Sequence, residues 1–240
     1  MKKPHRRTQN LETFFYDYKP PQVYKNFPWP RIETDYHGSR VEIPLKEEYR
    51  FRSMDFLDSK EALPIFEIQA DMIMEQGIKS IVDVGCRHGP VLNILYERSY
   101  LTEDFKYMGF DTSPEPIQLA KETWIEFDDI EFRIGNMFNT QSILTDFEVE
   151  CVIFSGILLY AGDKHMELFD FLMRDLYKAK WAIIQEPCGE QDPEKFLPWL
   201  DLHTIDRDLN EYAKNAKSYS EYILDCDIWQ GRRKVCMISI

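Results

Sequence analysis

Residues Ile81-Val82-Asp83-Val84-Gly85-Cys86-Arg87-His88-Gly89-Pro90 constrain this chain more than any other stretch. A short β-branched run ends at an acid, turns through two glycines and enters the apolar helical spacing of Val91, Leu92, Ile94 and Leu95. That order reads as the first strand, loop and helix of a nucleotide-binding α/β domain. The glycine spacing narrows the type. A dinucleotide fingerprint needs glycine at 85, 87 and 90, and only Gly85 satisfies it, because Arg87 and Pro90 hold the other places. The alternate-position pattern Asp-x-Gly-x-Gly-x-Gly is met at Asp83, Gly85 and Gly89, with Arg87 the one departure.

Around this loop the chain alternates strand and helix patterns. Pro64 suits a first helical turn, Ile65, Ile68 and Met72 follow at helical spacing, and Gly77 is a natural stop. Strands are expected at Ser80–Val84, Lys106–Phe110, Ile130–Ile134, Cys151–Phe154 and Trp181–Gln185, with helices near 90–100, 114–126, 141–145 and 164–178 between them. Such alternation implies a parallel sheet covered on both faces. Two further strands, Glu221–Ile228 and Lys234–Ile240, are separated only by Trp229-Gln230-Gly231-Arg232-Arg233, too few residues for a crossover. They predict an antiparallel hairpin. The expected fold is thus a seven-stranded, mostly parallel sheet in a domain over 61–240. Residues 1–60, rich in Phe, Tyr, Trp and Pro but poor in periodicity, are expected to form an irregular arm. That arm is expected either to lid the cleft or to pack for stability alone.

Composition excludes several classes. The first ten residues carry four bases and no acid, so the remaining 230 hold 25 bases and 42 acids, a net of −17. A body so acidic repels a phosphate backbone over most of its surface, which argues against long nucleic acids. The basic start is expected to be a solvated end, or else a contact for an acidic partner. No apolar run is long enough for a membrane span, and the basic start has no apolar segment behind it as a secretory leader would. The five cysteines form no C-x-x-C pair, which fits a reducing cytoplasm and argues against structural zinc; no metal is expected. His5, His37 and His203 form no metal-ligand spacing.

Three more segments bear on chemistry. Tyr107-Met108-Gly109-Phe110-Asp111-Thr112-Ser113 is a strand ending in an acid, with Thr112 or Ser113 suited to cap the next helix. Phe132-Arg133-Ile134-Gly135-Asn136-Met137-Phe138 is a strand running into a polar turn. Val149 to Tyr160 is a strand, Cys151-Val152-Ile153-Phe154, followed by Ser155-Gly156-Ile157. In order, with the glycine loop, these resemble motifs of the class I S-adenosylmethionine (SAM)-dependent methyltransferases over residues 62–240. Their last strand inserts antiparallel to the rest, as the terminal hairpin here would.

The resemblance implies SAM as cofactor, bound by Asp83, Gly85, Cys86, Gly89, Asp111, Thr112, Asn136, Met137, Ser155 and Gly156. Asp83 would support the loop or the ligand amine, and Asp111 would accept the ribose hydroxyls. Asn136 stands where the family commonly has Asp at the adenine. Met137 or Phe138 would pack on the base or belong to the core. Cys86 is read as a small packing residue, and Arg87 must take a backbone conformation that tolerates its Cβ.

Candidate bases are His165, Glu186 and Tyr160. His165 and Glu186 each have a plainer reading, a surface histidine and a structural hydrogen bond at the strand end, while Tyr160 is expected to face the acceptor. His88 is read as a cofactor contact, and Arg50 or Arg52 as a carboxylate ligand or a surface ion pair. A small or medium-sized acceptor (metabolite, sugar or nucleotide) is expected. A SAM-binding partner module with weak turnover and a protein methyltransferase stand as alternatives. Nothing in the sequence speaks to oligomeric state.

Overall fold

A computed structural model describes residues 31–34, 40–43, 63–158, 161, 165–188, 209–226 and 231–240. The elements are β1 (Arg31–Thr34), β2 (Arg40–Ile43), α1 (Leu63–Gln76), β3 (Ser80–Val84), α2 (Pro90–Glu97), β4 (Lys106–Asp111), α3 (Pro114–Thr123), β5 (Ile130–Ile134), β6 (Cys151–Ser155), α4 (His165–Asp170), β7 (Trp181–Cys188), β8 (Ser218–Cys226) and β9 (Gly231–Ser239). Short 3₁₀ turns lie at Thr140–Ile143 and Leu209–Glu211.

Seven strands form one sheet in the order β5-β4-β3-β6-β7-β9-β8. β5, β4, β3, β6 and β7 are mutually parallel, while β9 runs antiparallel between β7 and β8. Strand order reverses between β3 and β6, so the connections after them leave in opposite directions and open a crevice at their carboxyl ends.

Alternation along the strands splits the core in two. Ile81, Tyr107, Phe132, Ile153 and Ile183 pack under α1, α2 and α3, through such residues as Ile65, Leu92 and Ile117. Val82, Phe110, Phe154, Ile184 and Ile238 pack under Leu168, Phe169 and Leu172 on the other face. The β3 residues are all buried, as expected of a central parallel strand with helices on both sides.

The structure departs from the sequence reading in four places. Among the described residues of the arm, β1 pairs with β2, with Ile32 opposite Glu42 and Glu33 opposite Val41. The alternation that signals it spans only four residues per strand. The helix expected at 141–145 is a single 3₁₀ turn, after which Leu144 is already extended at ψ 139°. The helix expected over 164–178 is α-helical only to Asp170 and continues as a π-helical stretch over Phe171–Leu176. Widening that turn lets Phe171, Leu172 and Met173 all reach the core. The closing hairpin is longer than expected, and Gly231 and Arg233, read as loop, are strand.

Gly109, in the middle of β4, is a close-approach position. A Cβ there would lie 2.6 Å from Cys86 Sγ and 2.9 Å from Tyr107 Cε1. Gly109→Ala is therefore expected to destabilise the fold by about 1–3 kcal/mol, read from urea unfolding, through overpacking against the glycine loop.

Candidate active site

The loop after β3 is bound to the end of β4. The Phe110 carbonyl accepts from Gly85 N–H at 2.8 Å and from Cys86 N–H at 3.1 Å, and Asp111 Oδ2 accepts from Arg87 N–H at 3.1 Å. Gly89 N–H closes the turn on the Cys86 carbonyl at 2.9 Å. The backbone is left-handed at every second residue: φ is 72° at Gly85, 54° at Arg87 and 79° at Gly89. Arg87 thus keeps the conformation that the alternating-glycine pattern demands while departing from its residue type. For an L-residue this costs about 1–2 kcal/mol.

This wiring decides what the loop can hold. A phosphate cradle needs backbone N–H groups aimed outward at the ligand. Here the amides of residues 85, 86, 87 and 89 are spent inside the protein, and Pro90 at the first turn of α2 has no N–H to offer. Such a loop is poorly equipped for a pyrophosphate and well shaped for a phosphate-free ligand such as SAM.

Asp111 stands beside it at the carboxyl end of β4. Its Oδ1 accepts from Ser113 N–H at 2.8 Å, so each oxygen makes one backbone bond. A carboxylate has about four acceptor directions, which leaves two for a ligand diol. Ser113 is the residue at the α3 cap, and Thr112 is half-buried between it and Asp111.

Asp83 is 4% exposed, and its Oδ2 accepts from the Tyr107 hydroxyl at 2.8 Å. Burial pushes this carboxyl up to about 7, against the lowering effect of the Tyr107 bond and with a smaller rise from the charge of Asp111. Burial likewise drives the Cys86 thiol well above its ordinary range, with Asp83 and Asp111 adding to the effect. An un-ionised, enclosed thiol packed against Gly109 is a spacer and a poor nucleophile.

After β5, Asn136 folds back on itself. Its Oδ1 accepts from Phe138 N–H at 3.0 Å, making a local turn. Met137 is buried in the core with Phe110 and Ile143, while Phe138 is half-buried at its border. After β6, Ser155 Oγ accepts from Gln69 Nε2 at 2.7 Å, and Gly156 (φ 63°) donates to the Gln185 carbonyl at 2.6 Å. Glu186 is 1% exposed, and its Oε1 accepts from Leu158 N–H at 3.0 Å. His165 Nδ1 lies 2.6 Å from the Tyr212 hydroxyl.

The sequence-expected ligands therefore converge on the carboxyl ends of four adjacent strands, β5, β4, β3 and β6, with Glu186 one strand further on. Tyr160, Arg50 and Arg52 lie outside the described residues, as do the aromatic arm apart from its two strands and the histidines 5, 37 and 203. Two partners were missed. Gln69 is a polar residue on the buried stripe of Ile65, Met72 and Ile73, which is a readable signal. Tyr107 has none, because only the sheet register sets it against Asp83.

Two stability measurements check this geometry. Arg87→Gly is expected to be more stable than Arg87→Ala by about 1 kcal/mol, because both lose the side chain but only one keeps a Cβ at positive φ. For Asp83, the unfolded carboxyl ionises near 3.8 and the folded one near 7. Between those values the unfolded chain has lost a proton that the folded chain keeps, so rising pH lowers stability until it levels off above about 7. Asp83→Asn removes this dependence. Its stability relative to the parent should rise by up to about 4 kcal/mol from pH 4 to pH 7.5.

Known proteins share the arrangement. A family model described as a methyltransferase domain matches residues 76–230. Among solved structures, the bifunctional kinase-methyltransferase WbdD aligns at 17% identity and TM-score 0.54 over 76% of this chain, which spans only 39% of that one. The methyltransferase domain of bacterial CtHen1-C aligns at 12% identity and TM-score 0.52, over 75% of this chain and 99% of that one. Magnesium protoporphyrin IX methyltransferase (ChlM) from Synechocystis PCC 6803, solved with bound SAM, aligns at 13% identity and TM-score 0.55 over 96% and 97%. At such identities these likenesses speak for the fold, and the family match over most of the chain speaks for membership. This chain belongs to the methyltransferase domain family, and it shares its fold with a methyltransferase solved with bound SAM.

Proposed function

We propose that this enzyme methylates a small or medium-sized acceptor, a metabolite, sugar or nucleotide, by in-line displacement. The observation that carries the reading is that the glycine loop, Asp111 and the Ser155–Gly156 turn stand on neighbouring strand ends. SAM supplies an already activated methyl group. The chain's own residues then contribute alignment, which is worth about 7–11 kcal/mol when reacting atoms are well placed. Asp111 would take the ribose diol, the 85–89 turn the amino-acid end, and Asn136 with Phe138 the adenine side. The acidic body supports a compact acceptor over a long nucleic acid.

Among the candidate bases, Glu186 reads better as a positioning residue. Its bond to Leu158 N–H fixes the turn that follows Ser155 and Gly156, where the acceptor would lie. His165, its ring oriented by the Tyr212 hydroxyl, is the better candidate to take a proton from an oxygen acceptor.

Three outcomes follow. Asp111→Ala should weaken SAM binding at least about tenfold by calorimetry, an effect of about 1.4 kcal/mol or more. Glu186→Gln, which keeps an acceptor oxygen, should retain most of kcat, whereas Glu186→Ala should lose at least about tenfold. A general base would fail in both variants. Finally, incubating the protein with methyl-labelled SAM and a whole-cell extract should label a small product by mass spectrometry. Label found only in protein or RNA fractions contradicts the proposed acceptor class.

A further inference from the structure

At the β5 edge of the sheet, away from the strand ends that form the crevice, lies an open cavity of about 220 Å³. Trp124, Ile125, Phe127, Ile130 and Phe132 line it, with Lys121 and Glu131 as the charged residues of its wall. Tyr96 extends the apolar surface, edge-on to Trp124 at 5.5 Å and to Phe127 at 5.8 Å. Much of this surface faces water: Ile125 is 78% exposed and Tyr96 54%. Trp124 is buried, yet its Nε1–H has no acceptor. A buried donor left unsatisfied costs about 1–3 kcal/mol.

The surrounding charge is mostly negative, with Lys121 the one base in the cavity wall. Between Glu122 and Glu131 the chain carries five acids and no base, interleaved with Trp124, Ile125, Phe127 and Ile130. All five carboxylates are exposed. Local bases meet two of them, Lys106 on Asp129 at 3.8 Å and Arg133 on Glu131. A face on which five exposed carboxylates outnumber Lys106, Lys121 and Arg133 disfavours nucleic acid and anionic lipid. A second copy of this chain would bring a like-charged body to it. The four rings and five carboxylates also extend beyond the reach of one small cation.

We propose that this face docks a basic segment of a partner protein, which sets one aliphatic side chain into the Trp124–Phe127 cavity while flanking Lys or Arg residues meet the carboxylates. An exposed aromatic cluster with a complementary charged rim is the anatomy of such interfaces. The proposal is independent of the acceptor's identity, since it uses no residue of the crevice.

The test is a titration of the ¹⁵N-labelled full chain with the capped peptide Arg-Lys-Leu-Lys-Arg, following the Trp124 Nε1–H resonance assigned through Trp124→Phe. The expected result is a saturable shift of that resonance. In Ile125→Glu, which changes an exposed residue and should leave SAM affinity intact, peptide affinity should drop at least about tenfold. Three results would overturn the proposal: no shift at millimolar peptide, an equal shift with Asp-Glu-Leu-Glu-Asp or with a leucine-free basic peptide, or peptide-independent self-association of the parent chain that Ile125→Glu abolishes. The last would make a second copy the occupant.

Discussion

Everything at the crevice rests on the hydrogen bonds that tie the loop after β3 to the end of β4. One carbonyl, that of Phe110, receives two amides, and the carboxylate of the next residue receives a third. These bonds set the left-handed backbone at alternate residues, bring Cys86 onto Gly109, and hold Asp111 beside the turn. They also remove the loop's amides from service as anion ligands. The same strand-loop-helix unit that grips phosphates in dinucleotide folds is here closed upon itself.

Buried polar pairs carry the rest of the site. Tyr107 holds Asp83, Gln69 holds Ser155, and Glu186 holds the Leu158 amide. Each pair joins two elements distant in sequence, so the carboxyl ends of the strands are cross-braced by side chains as well as by the sheet ladder. The cost is visible at Asp83, whose carboxyl holds its proton to about pH 7 because burial outweighs its one strong bond.

Much of the fold was legible because its signals are local. Pro64 and Gly77 bracket α1 almost to the residue, and the five parallel strands lie where their β-branched runs predict. The short connection before Lys234 foretold the antiparallel closure. What the sequence hid depends on tertiary context. The π-helical stretch of Phe171–Leu176 has the same apolar spacing as an α-helix, and only packing against the sheet selects the wider turn. At the site, glycine spacing located the loop, yet the fate of Arg87 could be known only from its φ. The partners Tyr107 and Gln69 emerge only when the sheet register and the α1 packing exist.

The proposed function requires that the loop wiring leave a pocket for an amino-acid tail and that Asp111 take a sugar diol. A crystal structure with S-adenosylhomocysteine tests it directly. The account predicts both ribose hydroxyls within hydrogen-bond distance of the Asp111 carboxylate, with the amides of residues 85 to 87 still bound to Phe110 and Asp111. A ligand seated with its ribose away from Asp111, or a loop rebuilt so that those amides turn outward to the ligand, would contradict it.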